Sequence, residues 1–304
     1  MAFTAKDVMT LREQTGAGMM DCKRALVDAD GDMDKAADLL RERGIAKAAK
    51  KASRIAAEGI VFAYKEADTG VLIEVNCESD FVANGEKFRD LVALLAKQVV
   101  CSKATTVEEL LASKLEGEGK TVELYIQEQI AVIGEKISVR RFTAYKSAGL
   151  IETYIHMGGT LGVMLNFACP VTEETKALAH DVALHVAFSK PQYMVAAEVP
   201  AEVVEKEKEI MKKEVINEGK PEAIAEKIVL GKIKKFYEEN CLFDQKFIKD
   251  DKVTIAQLIA EASKKAGAPV ELKEFCFYVM GQGLEKKNED LSEEVAKQVE
   301  AMKK

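Results

Sequence analysis

The stretch VNCESDFVANGE at residues 75–86 places an acidic and an aromatic side chain together where a buried strand ends. Asp80 and Phe81 are adjacent in what reads as a loop, and loops on a rigid scaffold commonly carry the groups that contact other molecules. These residues alone leave two interpretations open. Either the pair forms a contact surface, or Phe81 folds into the local core while Asp80 caps the next helix.

Sequence signals for covalent chemistry are sparse. No two cysteines have the CxxC spacing of zinc clusters and redox motifs, and His180 and His185 are five positions apart, which does not place them on one helix face. The GKT segment at 119–121 is similar to a phosphate loop, but Glu116 and Glu118 would repel phosphate. We therefore predict no catalytic residue, no metal site and no cofactor.

Composition limits the class of protein. A chain of 304 residues with 48% hydrophobic residues predicts two or three domains with a sizeable core. The net charge of −7 argues against general attraction to nucleic acid or to an anionic membrane. The N-terminus lacks the pattern of a secretory signal, so a cytoplasmic location is expected. The uncharged window 153–172 contains glycines and a proline, which predicts a buried hairpin instead of a membrane span.

The elements that position these residues begin with a small helical bundle. Residues 5–44 predict three short helices separated at TGAG and DADGD, with the third helix ending before Gly44. Residues 45–57 are rich in Ala and Lys and predict a helical or flexible connector. Its basic strip is either a solvated face or a phosphate contact, and it comprises Lys47, Lys50, Lys51 and Arg54.

A duplicated α+β core follows the bundle. IVFAYKE and VLIEVNC predict a strand hairpin, followed by helices and by the strand KISVRRF. Shifting the chain by 90 positions without a gap places Val75 on Leu165 and Asn76 on Asn166, so we predict two copies of a strand-pair-plus-helix unit. The SDFV corner then corresponds to CPVT at 169–172. Because the second copy lacks the Asp-Phe pair, this comparison favours a contact role in the first.

The predicted fold class is α+β with antiparallel sheets and a protruding helical hairpin. The hairpin spans about 198–237, where two charged helices share a narrow apolar seam that either packs on itself or receives a partner. The predicted domains are an N-terminal module with its linker at 1–54, core subdomains at 55–145 and 146–285, and a C-terminal helical tail at 286–304.

Three functional classes are consistent with these features. The exposed corner, the hairpin and the bundle favour a protein-binding factor. One alternative is a thiol-dependent enzyme that uses Cys77 as a thiolate. The other is an RNA-binding translation factor that uses the basic residues at 41–54 and would show salt-dependent affinity.

Four motifs occur in the order of a known family: TGAGMMDCKRAL, EVNCESDFVA, HVAFSKP and GKPEAIAEKIVLGKIKKF. Together they resemble translation elongation factor Ts over about residues 4–298. The resemblance implies a ubiquitin-associated-like (UBA-like) N-terminal module, a core of two related subdomains and a coiled-coil hairpin. It also implies guanine-nucleotide exchange on elongation factor Tu, without covalent chemistry.

The resemblance also implies which residues contact the partner. The loop at 79–82 would insert beside the partner's nucleotide site and disturb its Mg²⁺, which promotes release of GDP. The implied partner is elongation factor Tu in both its GDP-bound and its nucleotide-free form. It implies no direct contact with nucleic acid or membrane and leaves a homodimer open. Two departures from the family pattern are Ser79, where Thr is usual, and Gln282, where an acid is usual. The implied contact residues are Ser79, Asp80, Phe81 and Val82 in the loop, and Met19, Met20 and Lys51 in the N-terminal module.

Overall fold

A computed structural model gives the structure of residues 3–218 and 221–285. The predicted tail at 286–304 lies outside these residues. Contacts divide the chain into two compact units. Among the described residues, unit 1 comprises 3–61, 73–142 and 279–285, and unit 2 comprises 62–72, 143–218 and 221–278.

The N-terminal bundle contains three helices whose ends are set by local signals. α1 (Ala5–Thr15) begins at a capping box between Thr4 and Asp7 and ends where Gly16 adopts a left-handed conformation. α2 (Met19–Asp28) follows, and α3 (Met33–Lys51) begins where the Asp32 carboxylate accepts two backbone N–H groups. The predicted three-helix bundle is therefore confirmed. Its core consists of Val8, Leu11, Cys22, Ala25, Leu26, Ala29 and Ala36.

The first core copy begins with the predicted hairpin. β1 (Glu58–Glu66) and β2 (Thr69–Cys77) are joined by two residues, and β3 (Ser138–Lys146) pairs with β2 on its other side. β2 is buried from Gly70 to Cys77, as expected of a central strand. The helices between β2 and β3 are α4 (Asp80–Ala83), α5 (Glu86–Ser102), α6 (Val107–Ala112) and α7 (Val122–Ile133).

α3 is longer than the sequence predicts. The prediction ended it before Gly44, whereas the helix continues to Lys51 and includes half of the expected connector. α7 packs against α3, and a Cβ atom on Gly44 would lie 3.4 Å from the Cβ of Ala131. Gly44 thus permits close packing of two helices instead of ending one, and this contact outweighs its low helix propensity.

Unit 2 contains the second strand pair and helix. β4 (Leu150–His156) and β5 (Leu161–Ala168) pair antiparallel, with Leu150 opposite Phe167 and His156 opposite Leu161. The predicted hairpin at 153–172 is thus confirmed as a strand hairpin, but only its second strand is buried, since Met157 in the turn is 75% exposed. A three-stranded sheet forms in the order β4–β5–β8. The remaining elements are α8 (Glu173–Ser189), α9 (Ala201–Asn217), α10 (Glu222–Asn240), β6 (Lys246–Phe247), β7 (Asp250–Thr254), α11 (Ile255–Ala266) and β8 (Glu271–Val279).

α9 and α10 form the predicted helical hairpin and pack against each other. Val215 of α9 is fully buried, and Val229 and Ile233 of α10 are also buried. The two helices thus bury part of the narrow apolar seam between themselves, as the self-packing interpretation expected, whereas Ile210 and Ile216 of α9 are 41% and 43% exposed. Leu230 remains exposed on α10.

The two core copies match in burial, but not at the constant shift that the sequence suggested. In the strands, Asn76 and Asn166 are both buried at a shift of 90 positions. In the helices, the buried residues of α5 match those of α8 at a shift of 87 positions, and Lys103 and Lys190 end the two helices in left-handed conformations. The gap-free alignment is therefore wrong after the strand, because nine residues separate Asn76 from the start of α5, whereas six separate Asn166 from the start of α8.

A buried carboxylate joins three segments of unit 1. Glu74 of β2 is fully buried, and its oxygens lie 2.9 Å from Nη1 of Arg140 and 2.6 Å from Nε of Arg141, both on β3. The same carboxylate accepts the backbone N–H of Gly281 at 2.8 Å. Gly281 has a positive φ of 68°, and a Cβ atom there would lie 2.4 Å from the carbonyl oxygen of Ala57, so glycine is required.

Replacing Glu74 should destabilise the fold strongly. Glu74→Gln removes the charge opposite two arginines, and breaking a buried ion pair on one side typically costs about 3 kcal/mol or more. We expect the free energy of unfolding, measured by urea denaturation, to fall by about that amount. Glu66→Gln, at the exposed end of β1, should change it little. Equal stabilities of Glu74→Gln and the wild type would contradict the importance of this cluster.

His185 should make stability depend on pH. Its side chain is 1% exposed and burial lowers its pKa, while its Nε2 donates to Oε1 of Gln245 at 2.9 Å. The unfolded chain therefore takes up a proton below about pH 6.5 that the folded chain resists. Stability from this source is present above that pH and is lost as the pH falls.

His185→Gln tests this linkage, because Gln98 is the buried residue at the matching position of α5. The decrease in melting temperature between pH 7.5 and pH 5.5 should be smaller in this variant than in the wild type. His180→Gln changes an exposed histidine of the same helix and should keep the wild-type decrease. An unchanged decrease in His185→Gln would show that other groups cause the pH dependence.

Candidate functional site

The corner after β2 presents Phe81 on the surface. Ser79 is the N-cap of α4, and its Oγ accepts the backbone N–H of Val82 at 3.3 Å. Within this single turn Ala83 is buried, whereas the Phe81 ring is 86% exposed. The interpretation in which Phe81 packs into its own core is therefore wrong, and the capping role belongs to Ser79 instead of Asp80.

Asp80 and Val82 flank the exposed ring. Asp80 is the exposed first residue of α4, and Val82 is half-buried. The carbonyl oxygen of Asp80 accepts both the backbone N–H of Asn84 at 3.0 Å and its side-chain Nδ2–H at 2.9 Å. The Asn84 contacts close the turn, so that Asp80 and Phe81 project from a short ordered segment.

Glu135, which follows α7, holds the base of the corner. Its Oε2 accepts the backbone N–H groups of Glu78 and Ser79, each at 3.0 Å, and its Oε1 accepts the Ser79 hydroxyl at 2.5 Å. In return the Glu78 carboxylate accepts the backbone N–H of Lys136 at 2.7 Å. These contacts join the exit of β2 to the segment between α7 and β3.

Sequence reasoning missed Glu135. It lies 56 positions from Ser79, and no local motif connects the two residues. The available signal was a glutamate directly after Gly134, which ends α7 in a left-handed conformation. That pattern identifies a helix end, but it does not identify the residues that the carboxylate contacts.

The second copy has a shorter corner. Four residues, 169–172, connect β5 to α8, whereas eight residues, 78–85, connect β2 to α5. Thr172 caps α8 directly in a reciprocal capping box with Thr175. The corner of this copy thus contains no additional turn, and Val171 is its exposed apolar residue.

The methionines predicted to contact a partner are both exposed. Met19 and Met20 are the first two residues of α2, with 40% and 62% of their surfaces exposed. The alternative that one of them packs inside the bundle therefore does not apply. Lys51 is half-buried at the end of α3, and its Nζ donates to the carbonyl oxygen of Gly134.

The basic strip is partly neutralised by acidic neighbours. Lys47 Nζ lies 2.9 Å from Oδ2 of Asp21, and Arg54 Nη1 lies 3.2 Å from Oε2 of Glu78. Charges paired in this way give weak attraction to a polyanion. The strip therefore gives little support to the RNA-binding alternative.

Cys77 is poorly suited to be a nucleophile. It is fully buried, its Sγ–H donates to the carbonyl oxygen of Ser79 at 3.2 Å, and burial together with the Glu135 carboxylate raises its pKa to about 12. The thiolate required for chemistry is thus disfavoured at neutral pH. Within residues 3–218 and 221–285, no group of three His, Cys, Asp or Glu residues could hold a metal ion.

None of the helices in the described part of the chain is both long and apolar enough to span a bilayer. His156 is exposed at the end of β4, and its Nδ1 lies 2.9 Å from the Tyr154 hydroxyl oxygen.

The bundle, the duplicated core and the exposed corner define an α+β protein that presents the exposed aromatic side chain of Phe81 on a connecting segment. Comparison with known proteins identifies the family: the family model described as Elongation factor TS matches residues 78–282. The chain belongs to the elongation factor Ts family, as its motifs predicted.

Full-length relatives agree with this assignment. The protein named Elongation factor Ts of Clostridium perfringens (strain 13 / Type A) is 49% identical over 97% of this chain and 98% of its own length. Those of Clostridium kluyveri (strain NBRC 12016) and a Nitratiruptor species are 48% and 47% identical. Both alignments cover 98% of this chain, with 99% and 100% of the relatives. The protein is therefore a factor of translation elongation.

Proposed function

We propose that the protein is a guanine-nucleotide exchange factor that binds elongation factor Tu and accelerates the release of GDP. The observation that carries the proposal is the 86% exposure of Phe81 on a turn held by Ser79 and Glu135. Burying a phenylalanine side chain contributes roughly 1.5–3 kcal/mol. Because Phe81 is exposed in the free protein, this free energy of burial can instead stabilise a complex in which a pocket of the partner covers the ring.

Release of GDP follows from a small displacement at the partner's Mg²⁺ site. Mg²⁺ requires near-octahedral geometry and bridges phosphate oxygens, so a shift of its supporting groups weakens the bound nucleotide. In the proposed complex Phe81 enters a pocket beside this site and Asp80 competes for polar contacts near the phosphate-binding elements. Ser79 and Val82 maintain the turn that presents both side chains.

Exchange requires no covalent step on this protein. A factor that binds the nucleotide-free partner more tightly than the GDP-bound partner must weaken GDP binding by the same coupling free energy. Rebinding of nucleotide then expels the factor. Neither the buried thiol of Cys77 nor the paired charges of the basic strip favours the enzyme or RNA-binding alternative.

The N-terminal module supplies a second contact in this proposal. Met19 and Met20 are adjacent and exposed at the start of α2, and methionine adapts readily to an apolar partner surface. Lys51 contributes through the N–H groups that remain after its bond to Gly134. We further propose the division into a UBA-like module at 1–54 and core subdomains at 55–145 and 146–285, acting in the cytoplasm without nucleic acid or membrane.

Phe81→Ala should slow GDP release while leaving the fold intact. Loss of a buried aromatic contact of about 1.4 kcal/mol or more corresponds to at least ten-fold slower release. The measurement is stopped-flow release of a fluorescent GDP analogue from elongation factor Tu at saturating exchange factor. Val171→Ala, in the shorter corner of the second copy, is the matched control and should retain the wild-type rate. A wild-type rate in Phe81→Ala would refute the insertion mechanism.

Met20→Ala should weaken binding to elongation factor Tu more than it lowers the maximal rate of GDP release. Losing about 1 kcal/mol of apolar contact raises the half-saturating concentration of exchange factor about five-fold. A titration of release rate against factor concentration separates the two parameters. Met157→Ala removes a methionine that is 75% exposed in the β4–β5 turn, and it should give the wild-type titration. An unaltered half-saturating concentration in Met20→Ala would exclude this contact.

A further inference from the structure

We infer that Glu135 is a positioning residue for the Asp80–Phe81 turn. Three hydrogen-bond donors from two consecutive residues, Glu78 and Ser79, converge on its single carboxylate. Hydrogen bonds to an ionised acceptor are shorter and stronger than neutral ones. The side chain therefore fixes both the backbone direction and the hydroxyl orientation at the point where the chain leaves β2.

The Ser79 hydroxyl transmits this effect to α4. A hydroxyl has one proton, and here it is donated to Glu135, which leaves the oxygen lone pairs to accept the Val82 N–H at 3.3 Å. The cap is thus aligned by the carboxylate. α4 has only four residues and cannot stabilise itself through its own hydrogen bonds, so its order depends on such external contacts.

A second set of contacts holds the segment around Glu135 in place. The Glu78 carboxylate accepts N–H groups from Lys136 at 2.7 Å and from Arg54 at 3.2 Å. Nζ of Lys136 in turn donates to the carbonyl oxygen of Arg54 at 2.8 Å. Three chain segments are therefore connected around the base of the turn, which restricts the motion of Glu135 itself.

The second copy supports this interpretation by contrast. Its four-residue corner is closed locally, since the Thr172 N–H donates to Oγ1 of Thr175 at 2.9 Å and the Thr175 N–H donates to Oγ1 of Thr172 at 3.2 Å. The first corner has eight residues instead of four, and α4 lies between the end of β2 and the start of α5. A cap at the start of α5 therefore does not hold the residues that directly follow β2. The carboxylate that holds this corner, that of Glu135, therefore comes from a distant part of the sequence.

Order in the free protein reduces the conformational entropy lost on binding. If Glu135 acts by preorganising the turn, its removal should mobilise Phe81 and slow GDP release only when Phe81 is present. The kinetic part of this inference rests on the proposed exchange function. The structural part can be tested without any partner.

The natural absence of tryptophan provides the structural test. Phe81→Trp introduces a single reporter at the tip, whose fluorescence anisotropy decay reports nanosecond motion of the turn. Adding Glu135→Gln should cause a loss of residual anisotropy. Glu123→Gln makes the same chemical change at an exposed position in the first turn of α7 and should cause no loss. Equal anisotropy decays for Glu135→Gln and its control would overturn the inference.

A double-mutant cycle provides the kinetic test. Glu135→Gln should slow release of the GDP analogue about five-fold in the wild-type background, equivalent to about 1 kcal/mol, and change it little in the Phe81→Ala background. Equal slowing in both backgrounds would mean that Glu135 acts on the fold generally. If the wild type fails to accelerate release, the proposed function fails, while the anisotropy result still decides the positioning role.

Ser79→Ala keeps the inference testable should Glu135→Gln unfold. It removes the hydroxyl that links Glu135 to Val82 and leaves the two backbone contacts to Glu135 intact. The Phe81→Trp reporter should then show a smaller loss of anisotropy than expected for Glu135→Gln. No loss in Ser79→Ala would contradict the role of this hydroxyl. Circular dichroism melting curves identify any variant that is unfolded.

Discussion

The buried carboxylate of Glu74 is the interaction on which the organisation of unit 1 depends. It forms ion pairs with Arg140 and Arg141 of β3 and accepts the backbone N–H of Gly281. Arg140 also donates to the carbonyl oxygen of Gln282 at 2.5 Å. That contact uses the backbone, so the departure from the family pattern at Gln282 leaves it intact. β2, which leads to the corner at 78–85, is thereby fixed before the corner begins.

Duplication supplied a scaffold, and a longer corner in one copy made it functional in the proposed mechanism. α5 and α8 have equivalent buried faces, and Gln98 and His185 occupy the same buried polar position. The copies differ where the strand joins the helix. The additional residues of the first copy form α4 and place Phe81 outside the core, whereas the second copy ends its strand close to the cap at Thr172.

Much of the fold could be predicted because it follows local patterns. Alternating and helical hydrophobic periods predicted the strand hairpins and most helices. Gly44 was misjudged because its role depends on the distant Ala131, and the shift between copies was misjudged because sequence identity did not reveal the length difference at the corner. Phe81 was identified from its own position, beside Asp80 after a buried strand, and Met20 through motif resemblance, whereas Glu135 acts across 56 positions without a local signal.

The uninterrupted α3 helix fixes the number of residues that can separate its contacts with the bundle and with α7. Leu40 packs on the bundle core, while Gly44 packs on α7, so the few residues between them fix the rotational phase of the bundle about the helix axis. One inserted residue would rotate the bundle by about 100°. Met19 and Met20 would then face another direction although every helix remained intact. Selection should consequently reject single-codon insertions and deletions here more strongly than substitutions.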